Sequence, residues 1–175
     1  DALMHHGHSP LPAMRDYMHK LEDAGAECIV IPCNTAHFWF NELKACCHTE
    51  LLSIVETTIN EVKNCGKSQI GLLATNATLY MGLYQKGIES LGLTCISPDS
   101  SSQEKVMKSI YCLKAGDAKR AQTLMNEQAE ALFSRGAQVI VLGCTEVPVI
   151  LAEAVNKSPE KYIDSTGSLV RAGIK

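Results

Sequence analysis

A twelve-residue pattern that occurs twice in the chain places the strongest constraint on its fold. Residues 24–35 read AGAECIVIPCNT and residues 135–146 read RGAQVIVLGCTE. Each copy has Gly-Ala, a polar residue, a four-residue apolar run, one Pro or Gly, and a cysteine followed within two residues by Thr. Short apolar runs rich in β-branched residues are typical of strands buried on both faces of a sheet. The repeat predicts two related α/β units, although a single match of this length can also arise by chance.

Helical patterns alternate with strand patterns along the chain. Ser9 and Pro10 indicate the start of a helix, apolar residues recur at helical spacing up to Leu21, and Gly25 indicates its end. Strands are predicted at residues 27–31, 51–54, 69–74, 94–96 and 139–142, and further helices through residues 58–62, 80–91, 101–113 and 117–134. Strands that alternate with helices predict parallel sheets covered by helices, which is an α/β fold.

The composition favours small-molecule chemistry over binding to charged polymers. The chain has 175 residues, of which 46% are hydrophobic and 20% charged, and its formal net charge is −3. This balance predicts a sizeable core and gives no electrostatic reason to expect nucleic acid or a membrane as partner. No apolar run approaches the roughly 18–20 residues that cross a bilayer, and no signal peptide is recognisable, so we expect a cytoplasmic protein. The eight cysteines are then expected to be reduced thiols.

Two cysteines, Cys33 and Cys144, differ from the others because they follow the predicted strands of the repeated pattern. Ligands of open α/β sheets bind beyond the carboxyl ends of strands, where a nearby helix start favours a thiolate. Asn34, Thr35 and Thr145 stand beside these thiols and offer donors suited to a carboxylate. The remaining cysteines are interpreted as small structural residues: Cys28, Cys46, Cys47, Cys65, Cys95 and Cys112.

These motifs resemble the paired signatures of the aspartate/glutamate racemase superfamily. The chain has PCNTAH at residues 32–37 and GCTE at residues 143–146. The similarity extends to SPLP at 9–12, GLLAT at 71–75, KAG at 114–116 and IDST at 163–166. Glutamate racemases usually carry His after Cys-Thr, whereas this chain has Glu146 and so is similar to the aspartate racemase branch. The family's N-terminal Gly-rich strand and loop, and its frequent upstream Arg, are not found in this sequence.

The resemblance implies a fold of two pseudo-symmetric α/β lobes, each with a mostly parallel sheet flanked by helices, and an active site in the cleft between them. We expect residues 1–50 together with 158–175 to form the first lobe, without its N-terminal strand and Gly-rich loop. Residues 51–157 are expected to form the second lobe. The resemblance also implies a homodimer, an acidic amino acid as substrate, and a reaction that uses neither pyridoxal phosphate nor a metal.

The resemblance further assigns substrate contacts to particular residues. Most of them would lie around the α-carboxylate, whereas Lys114 matches the position at which aspartate racemases place a cation for the side-chain carboxylate. Without the resemblance, Lys114 is equally well explained as a solvated cation at a helix end. The substrate-binding residues so implied are Asn34, Thr35, Ala36, Thr75, Lys114 and Thr145.

Racemisation at Cα requires that a proton leave one face of the carbon and that another arrive on the opposite face. Two groups on opposite walls of a cleft achieve this directly, and we interpret Cys33 and Cys144 as this pair, one a thiolate and the other a thiol. Glu146 could keep Cys144 protonated or relay its proton, or it could simply be a favourable acid at a helix N-terminus. His37 either supports the site or only orients the loop after Cys33.

The sequence alone leaves several further functions open. Metal binding is suggested by His5, His6 and His8, and by Cys33 with His37, but the paired ligands typical of zinc sites are not found. The segment GLLATN at 71–76 lacks the glycine pattern of a dinucleotide site, and a Cys/His hydrolase would leave Cys144 unexplained. The motifs are also compatible with a glutamate or broad-specificity racemase, a decarboxylase, a cis–trans isomerase, or a protein that only binds an acidic ligand.

Overall fold

The structure, a computed structural model, describes residues 7–174 and contains two parallel sheets. The strands are β1 (Cys28–Val30), β2 (Glu50–Leu52), β3 (Gln69–Ala74), β4 (Thr94–Ile96), β5 (Val139–Gly143) and β6 (Tyr162–Asp164). Strands β1 and β2 pair in one sheet, and the other four form a second sheet in the order β4-β3-β5-β6. Every pairing among these strands is parallel, so the predicted α/β class is confirmed.

Helices connect successive strands. They are α1 (Leu11–Asp23), α2 (Phe40–Lys44), α3 (Ile54–Asn64), α4 (Asn76–Met81), α5 (Gln85–Ser90), α6 (Ser100–Lys114), α7 (Ala118–Ser134), α8 (Glu146–Ile150), α9 (Ala152–Lys157) and α10 (Ser165–Gly173), with 3₁₀ helices at Thr35–Trp39 and Pro159–Lys161. Side chains of Ser53, Thr75 and Asp99 accept hydrogen bonds from the first turns of α3, α4 and α6, which explains where these helices begin. None of the helices within residues 7–174 combines the length and apolar character needed to cross a membrane.

The four-stranded sheet is buried on both faces. Successive side chains of a strand point to opposite faces. Leu73 and Ile140 pack in one apolar cluster with side chains of α6 and α7, whereas Leu72 and Val141 pack in another with side chains of α3 and α5. All residues of β5 are buried. The prediction of a strand covered on both faces is therefore confirmed for the second copy of the repeated pattern.

The two-stranded sheet has a different environment. Ile29 of β1 is in register with Leu51 of β2, and both pack in a cluster with side chains of α1 and α2. Cys28 and Val30, the neighbours of Ile29 along the strand, are exposed. The prediction of burial on both faces was wrong for β1, because among the described residues the core of this sheet contacts only one of the faces of β1.

The helix predicted across residues 80–91 is in fact two short helices, α4 and α5. Gly82 ends α4 with a φ of 65°, a left-handed conformation that glycine adopts without steric strain. A continuous helix was the wrong prediction because the chain turns at this glycine. The turn leaves Tyr84 at the start of α5 with a fully buried side chain.

The C-terminal segment 158–175 joins a different sheet from the one expected. Ile140 and Leu142 of β5 are in register with Tyr162 and Asp164 of β6, so β6 extends the four-stranded sheet. Placing this strand in the first lobe was wrong, because its backbone groups find their partners on the edge of β5. Helix α10 packs on α3 and also contacts β1 and β2, so it lies against both sheets. The wider division of the chain into lobes stays a prediction.

Candidate active site

The carboxyl edge of the four-stranded sheet brings together polar residues from distant parts of the sequence. Ala74 of β3 is in register with Gly143 of β5, so Thr75 and Cys144 continue from neighbouring strand ends. Ser165 follows the next strand, β6, and donates through Oγ to the Leu142 carbonyl at 2.7 Å. Ligands of α/β proteins bind at edges of this kind.

The loop that follows β1 is hydrogen-bonded to this same edge. Asn34 is 3% exposed, and its Nδ2 donates to Ser165 Oγ at 3.3 Å. Its Oδ1 accepts a hydrogen bond from the buried hydroxyl of Tyr84. Because Asn34 directly follows Cys33, these bonds fix the Cys33 loop against the sheet edge that ends in Cys144.

A second set of contacts between the two regions is a cluster of threonine hydroxyls. Thr35 Oγ1 lies 3.2 Å from Thr75 Oγ1 and 3.0 Å from Thr78 Oγ1, and the last two oxygens are also 3.0 Å apart. Thr75 caps α4, whereas Thr35 begins the 3₁₀ helix after Cys33. The predicted neighbours Thr35 and Thr75 are thus in direct contact, and their hydroxyls form a compact group of donors.

His37 links the Cys33 loop to the start of α3. Its Nε2 accepts a hydrogen bond from the Ile54 N–H at 3.0 Å, so the proton of the neutral ring lies on Nδ1 and is donated to the Cys33 carbonyl at 2.9 Å. Burial lowers the pKa of His37 against the opposing effect of the Cys33 carbonyl. With both ring nitrogens engaged by backbone groups, His37 positions the loop and is unavailable as a base or metal ligand.

Cys144 is a buried thiol that contacts a carboxylate. It is 7% exposed, and its Sγ donates to Glu146 Oε2 at 2.9 Å. The pKa of Cys144 is raised to about 12, mainly by burial and further by the neighbouring carboxylate. Cys144 is therefore a neutral thiol at neutral pH. Cys33, in contrast, is exposed.

Glu146 connects three of the predicted site residues. Its Oε1 lies 3.0 Å from Lys114 Nζ, and its Oε2 accepts from Thr145 Oγ1 at 3.1 Å as well as from Cys144. Partial burial acts to raise the pKa of Glu146, but the hydrogen bonds from Cys144 and Lys114 outweigh it and hold this pKa at about 2. The same contact with Glu146 raises the pKa of Lys114. Both groups are therefore charged, and the side chain of Lys114 keeps 57% of its surface exposed.

The structure places the predicted residues in two groups of neighbouring residues. One contains Cys33, Asn34, Thr35 and Thr75, with Ala36 half-buried in the 3₁₀ helix. The other contains Cys144, Thr145, Glu146 and Lys114. Their assigned roles in catalysis and substrate binding stay predictions.

Three residues of this region were missed by sequence reasoning. Ser165 belongs to the IDST segment, and Thr78 stands three residues after the capping residue Thr75, so both carried a weak signal. Tyr84 carried none, because an aromatic residue within a helical pattern is usually core. Only the tertiary fold shows that its hydroxyl holds Asn34.

The metal hypotheses based on the sequence find no support in the described part of the chain. His5 and His6 lie outside the described residues, and His8 is exposed. Cys33 and His37 do not form a ligand pair, because both nitrogens of His37 are hydrogen-bonded to backbone groups.

Comparisons with known proteins agree with this geometry. Residues 4–173 match the family model described as Asp/Glu/Hydantoin racemase. An aspartate racemase from Picrophilus torridus superposes with a TM-score of 0.87 at 31% identity, over 98% of this chain and 71% of that one. A protein from Pectobacterium carotovorum encoded 3′ of pnlA is 38% identical over 78% of this chain and 91% of its own. The broad-specificity amino-acid racemase RacX of Bacillus subtilis is 30% identical over 89% of this chain, which spans 66% of RacX.

The parallel sheets flanked by helices and the match of residues 4–173 to a racemase family model together define an α/β protein of the racemase type. The chain belongs to the Asp/Glu/Hydantoin racemase family. The resemblance stated from the motifs is therefore confirmed at the level of the family.

Proposed function

We propose that this protein is a cofactor-independent amino-acid racemase that interconverts L- and D-aspartate, with Cys33 and Cys144 as its acid and base. The main support is the hydrogen bonding of the Cys33 loop to the sheet edge that carries Cys144. Asn34 bonds to Ser165, and Thr35 contacts Thr75, so the Cys33 loop is bonded to the ends of β6 and β3, the two strands that flank β5. A substrate bound at this edge would lie close to the Cys33 loop and to Cys144, which follows β5.

The protonation of Cys144 supports the assignment of starting roles. Its raised pKa makes Cys144 the thiol that is ready to donate. In that direction the thiolate of Cys33 takes the Cα proton and becomes a thiol, while Cys144 gives its proton to the opposite face and becomes a thiolate. The roles exchange for the other enantiomer. Hydroxyls of Thr35 and Thr75 would stabilise the charge that moves toward the α-carboxylate as the proton leaves.

Lys114 and the comparisons support aspartate as the substrate. The Lys114 ammonium lies on the Cys144 side of the region, is partly exposed, and can pair with a second carboxylate as well as with Glu146. The Picrophilus torridus relative is an aspartate racemase by name. The name of RacX supports a second candidate, broad amino-acid specificity, on the same site.

Exchange of the Cα hydrogen with solvent deuterium tests the proposal. The natural full-length protein, incubated in D₂O with single enantiomers of aspartate, glutamate and alanine, should exchange the Cα hydrogen of aspartate fastest, as followed by NMR and chiral chromatography. Equal rates on all three would favour broad specificity. Binding of aspartate without exchange would overturn the racemase proposal and favour a binding protein.

A substitution at Lys114 tests the substrate assignment. Lys114→Met should raise KM for aspartate by at least about tenfold, because an ion pair to the side-chain carboxylate is lost, with a much smaller effect on a monocarboxylic substrate. Lys108→Met, at an exposed position on the same helix, is the matched control. An unchanged KM in the Lys114 variant would remove this residue from substrate binding. A cytoplasmic location and a homodimer stay predictions.

A further inference from the structure

A cluster of metal-type ligands lies at the opposite end of the two-stranded sheet from Cys33. His19 and Glu22 stand on the last turns of α1, and His48 belongs to the loop that leads into β2. This loop and the end of α1 precede β2 and β1, whereas Cys33 follows the carboxyl end of β1. The cluster is therefore outside the region proposed for racemisation.

The ligand atoms of these three residues converge on one point. His19 Nδ1 lies 3.0 Å from Glu22 Oε2, and His48 Nδ1 lies 3.5 Å from the same oxygen. All three ligand atoms lie within 4.8 Å of one another. Ligands about 2.0–2.1 Å from a tetrahedral zinc ion are separated from each other by roughly 3.4 Å, so these spacings nearly match a preformed site.

The central carboxylate is held in place by the protein. Glu22 Oε1 accepts hydrogen bonds from the backbone N–H groups of His48 and Thr49, the second at 3.0 Å, and from Cys47 Sγ at 3.4 Å. These contacts use one oxygen, so the other is free to face the two imidazoles. The side chain of Glu22 keeps only 12% of its surface exposed. One carboxylate thus orders the loop and presents a ligand atom at the same time.

We propose that His19, Glu22 and His48 bind a divalent zinc-type ion that joins the end of α1 to the loop before β2. Two imidazoles with one carboxylate suit zinc, whereas calcium and magnesium prefer sites made of oxygen ligands. A water molecule would complete the tetrahedron. Such an ion would stabilise the sheet on which the Cys33 loop depends.

Zinc titration against a chromophoric chelator tests this site. The parent for all variants is the full-length protein with His5, His6 and His8 changed to Ala, because these N-terminal histidines could bind zinc by themselves. In this background His19→Ala and His48→Ala should each weaken zinc binding by at least about tenfold. The rise in Tm on adding zinc should disappear in both variants. Cys28→Ser, at an exposed cysteine of β1 outside the cluster, should bind zinc as the parent does.

Imidazole nitrogen NMR separates this site from zinc bound by thiols. Zinc should shift the Nδ1 resonances of His19 and His48 and leave those of His37 unchanged, because both nitrogens of His37 are already hydrogen-bonded. Zinc binding that is unchanged in the two histidine variants, or that is lost only in cysteine variants, would overturn the proposal. The test does not depend on racemase activity.

Discussion

The loops of Cys33 and Cys144 follow two copies of one sequence pattern, yet the structure gives the two thiols different surroundings. Cys144 follows a strand with every residue buried, is itself 7% exposed, and contacts Glu146. Cys33 follows a strand with exposed neighbours and is exposed. Similar local sequence thus places both cysteines beyond strand ends, while the number of neighbouring strands and helices decides how each thiol is solvated. Unequal surroundings are also what an acid and base pair needs, because the two groups must differ in protonation.

Removal of either thiol should have the largest effect. Cys33→Ser and Cys144→Ser should each reduce racemisation of aspartate by about 10²–10⁴-fold, the range that a positioned acid or base contributes. Chiral chromatography measures the rate, and circular dichroism checks the fold. Cys28→Ser, at an exposed cysteine of β1, is the matched control and should retain activity. Full turnover in one of the two variants would exclude that cysteine from the mechanism.

The second largest effect is expected in the rates at which Cys33 and Cys144 react with an alkylating agent. At pH 8 the raised pKa of about 12 lowers the thiolate fraction of Cys144 roughly a thousandfold relative to an ordinary thiol. Iodoacetamide labelling followed by peptide mass spectrometry should therefore modify Cys33 long before Cys144. Cys95, for which burial raises the pKa to about 11, should also react slowly and serves as an internal reference. Equal rates at Cys33 and Cys144 would contradict the difference in their surroundings.

Glu146 should account for part of this difference. Glu146→Gln removes the negative charge beside Cys144 and should speed its alkylation by about tenfold, leaving the larger effect of burial in place. Glu153→Gln, at an exposed position in α9, is the matched control and should not change the rate. If Cys144 in the Gln variant reacts no faster, burial alone protects the thiol.

The free energy of unfolding at alkaline pH should also depend on the buried thiol of Cys144, with a smaller effect. Folding raises the pKa of Cys144 from 9.0 to about 12. The protonated thiol therefore contributes its full stabilisation of the folded state below pH 9, and this stabilisation is lost as the pH rises toward 12. The unfolded chain ionises first, which lowers the free energy of unfolding by at most about 1.4 kcal/mol per pH unit. Urea unfolding at pH 8, 9 and 10 under reducing conditions should show a shallower decline for Cys144→Ser than for the parent. A slope for Cys144→Ser that is identical to that of the parent would contradict this account.

Much of the fold could be predicted because it follows from local chemistry. The runs that became β3, β4 and β5 are apolar and bounded by turn residues, and their predicted limits agree with the structure to within one residue. Gly82 was harder to interpret, since a glycine can be tolerated inside a helix or can end one. The left-handed φ of this residue decided the matter.

Long-range partners could not be read from the pattern. Asn34 and Thr35 were recognised as polar residues after a strand, but their contacts with Ser165, Tyr84 and Thr75 join segments 40 to 131 residues apart. The role of His37 was ambiguous in the sequence, and the structure shows its ring hydrogen-bonded to the Cys33 carbonyl and the Ile54 N–H. Lys114 was expected either to bind the side-chain carboxylate of the substrate or to be a solvated cation at a helix end, and the structure pairs it with Glu146.

The sequence by itself determined the α/β class, most of the strands and helices, and the identity of the two cysteines that follow matched strands. These features depend on the hydrophobic period and on turn residues within a dozen positions, so the local sequence is enough to determine them. Only the tertiary structure decided which sheet β6 joins, which thiol is buried, and that Glu146 lies against Cys144 and Lys114. Burial and charge contacts depend on chain segments that come together only on folding, and they set the pKa of Cys144.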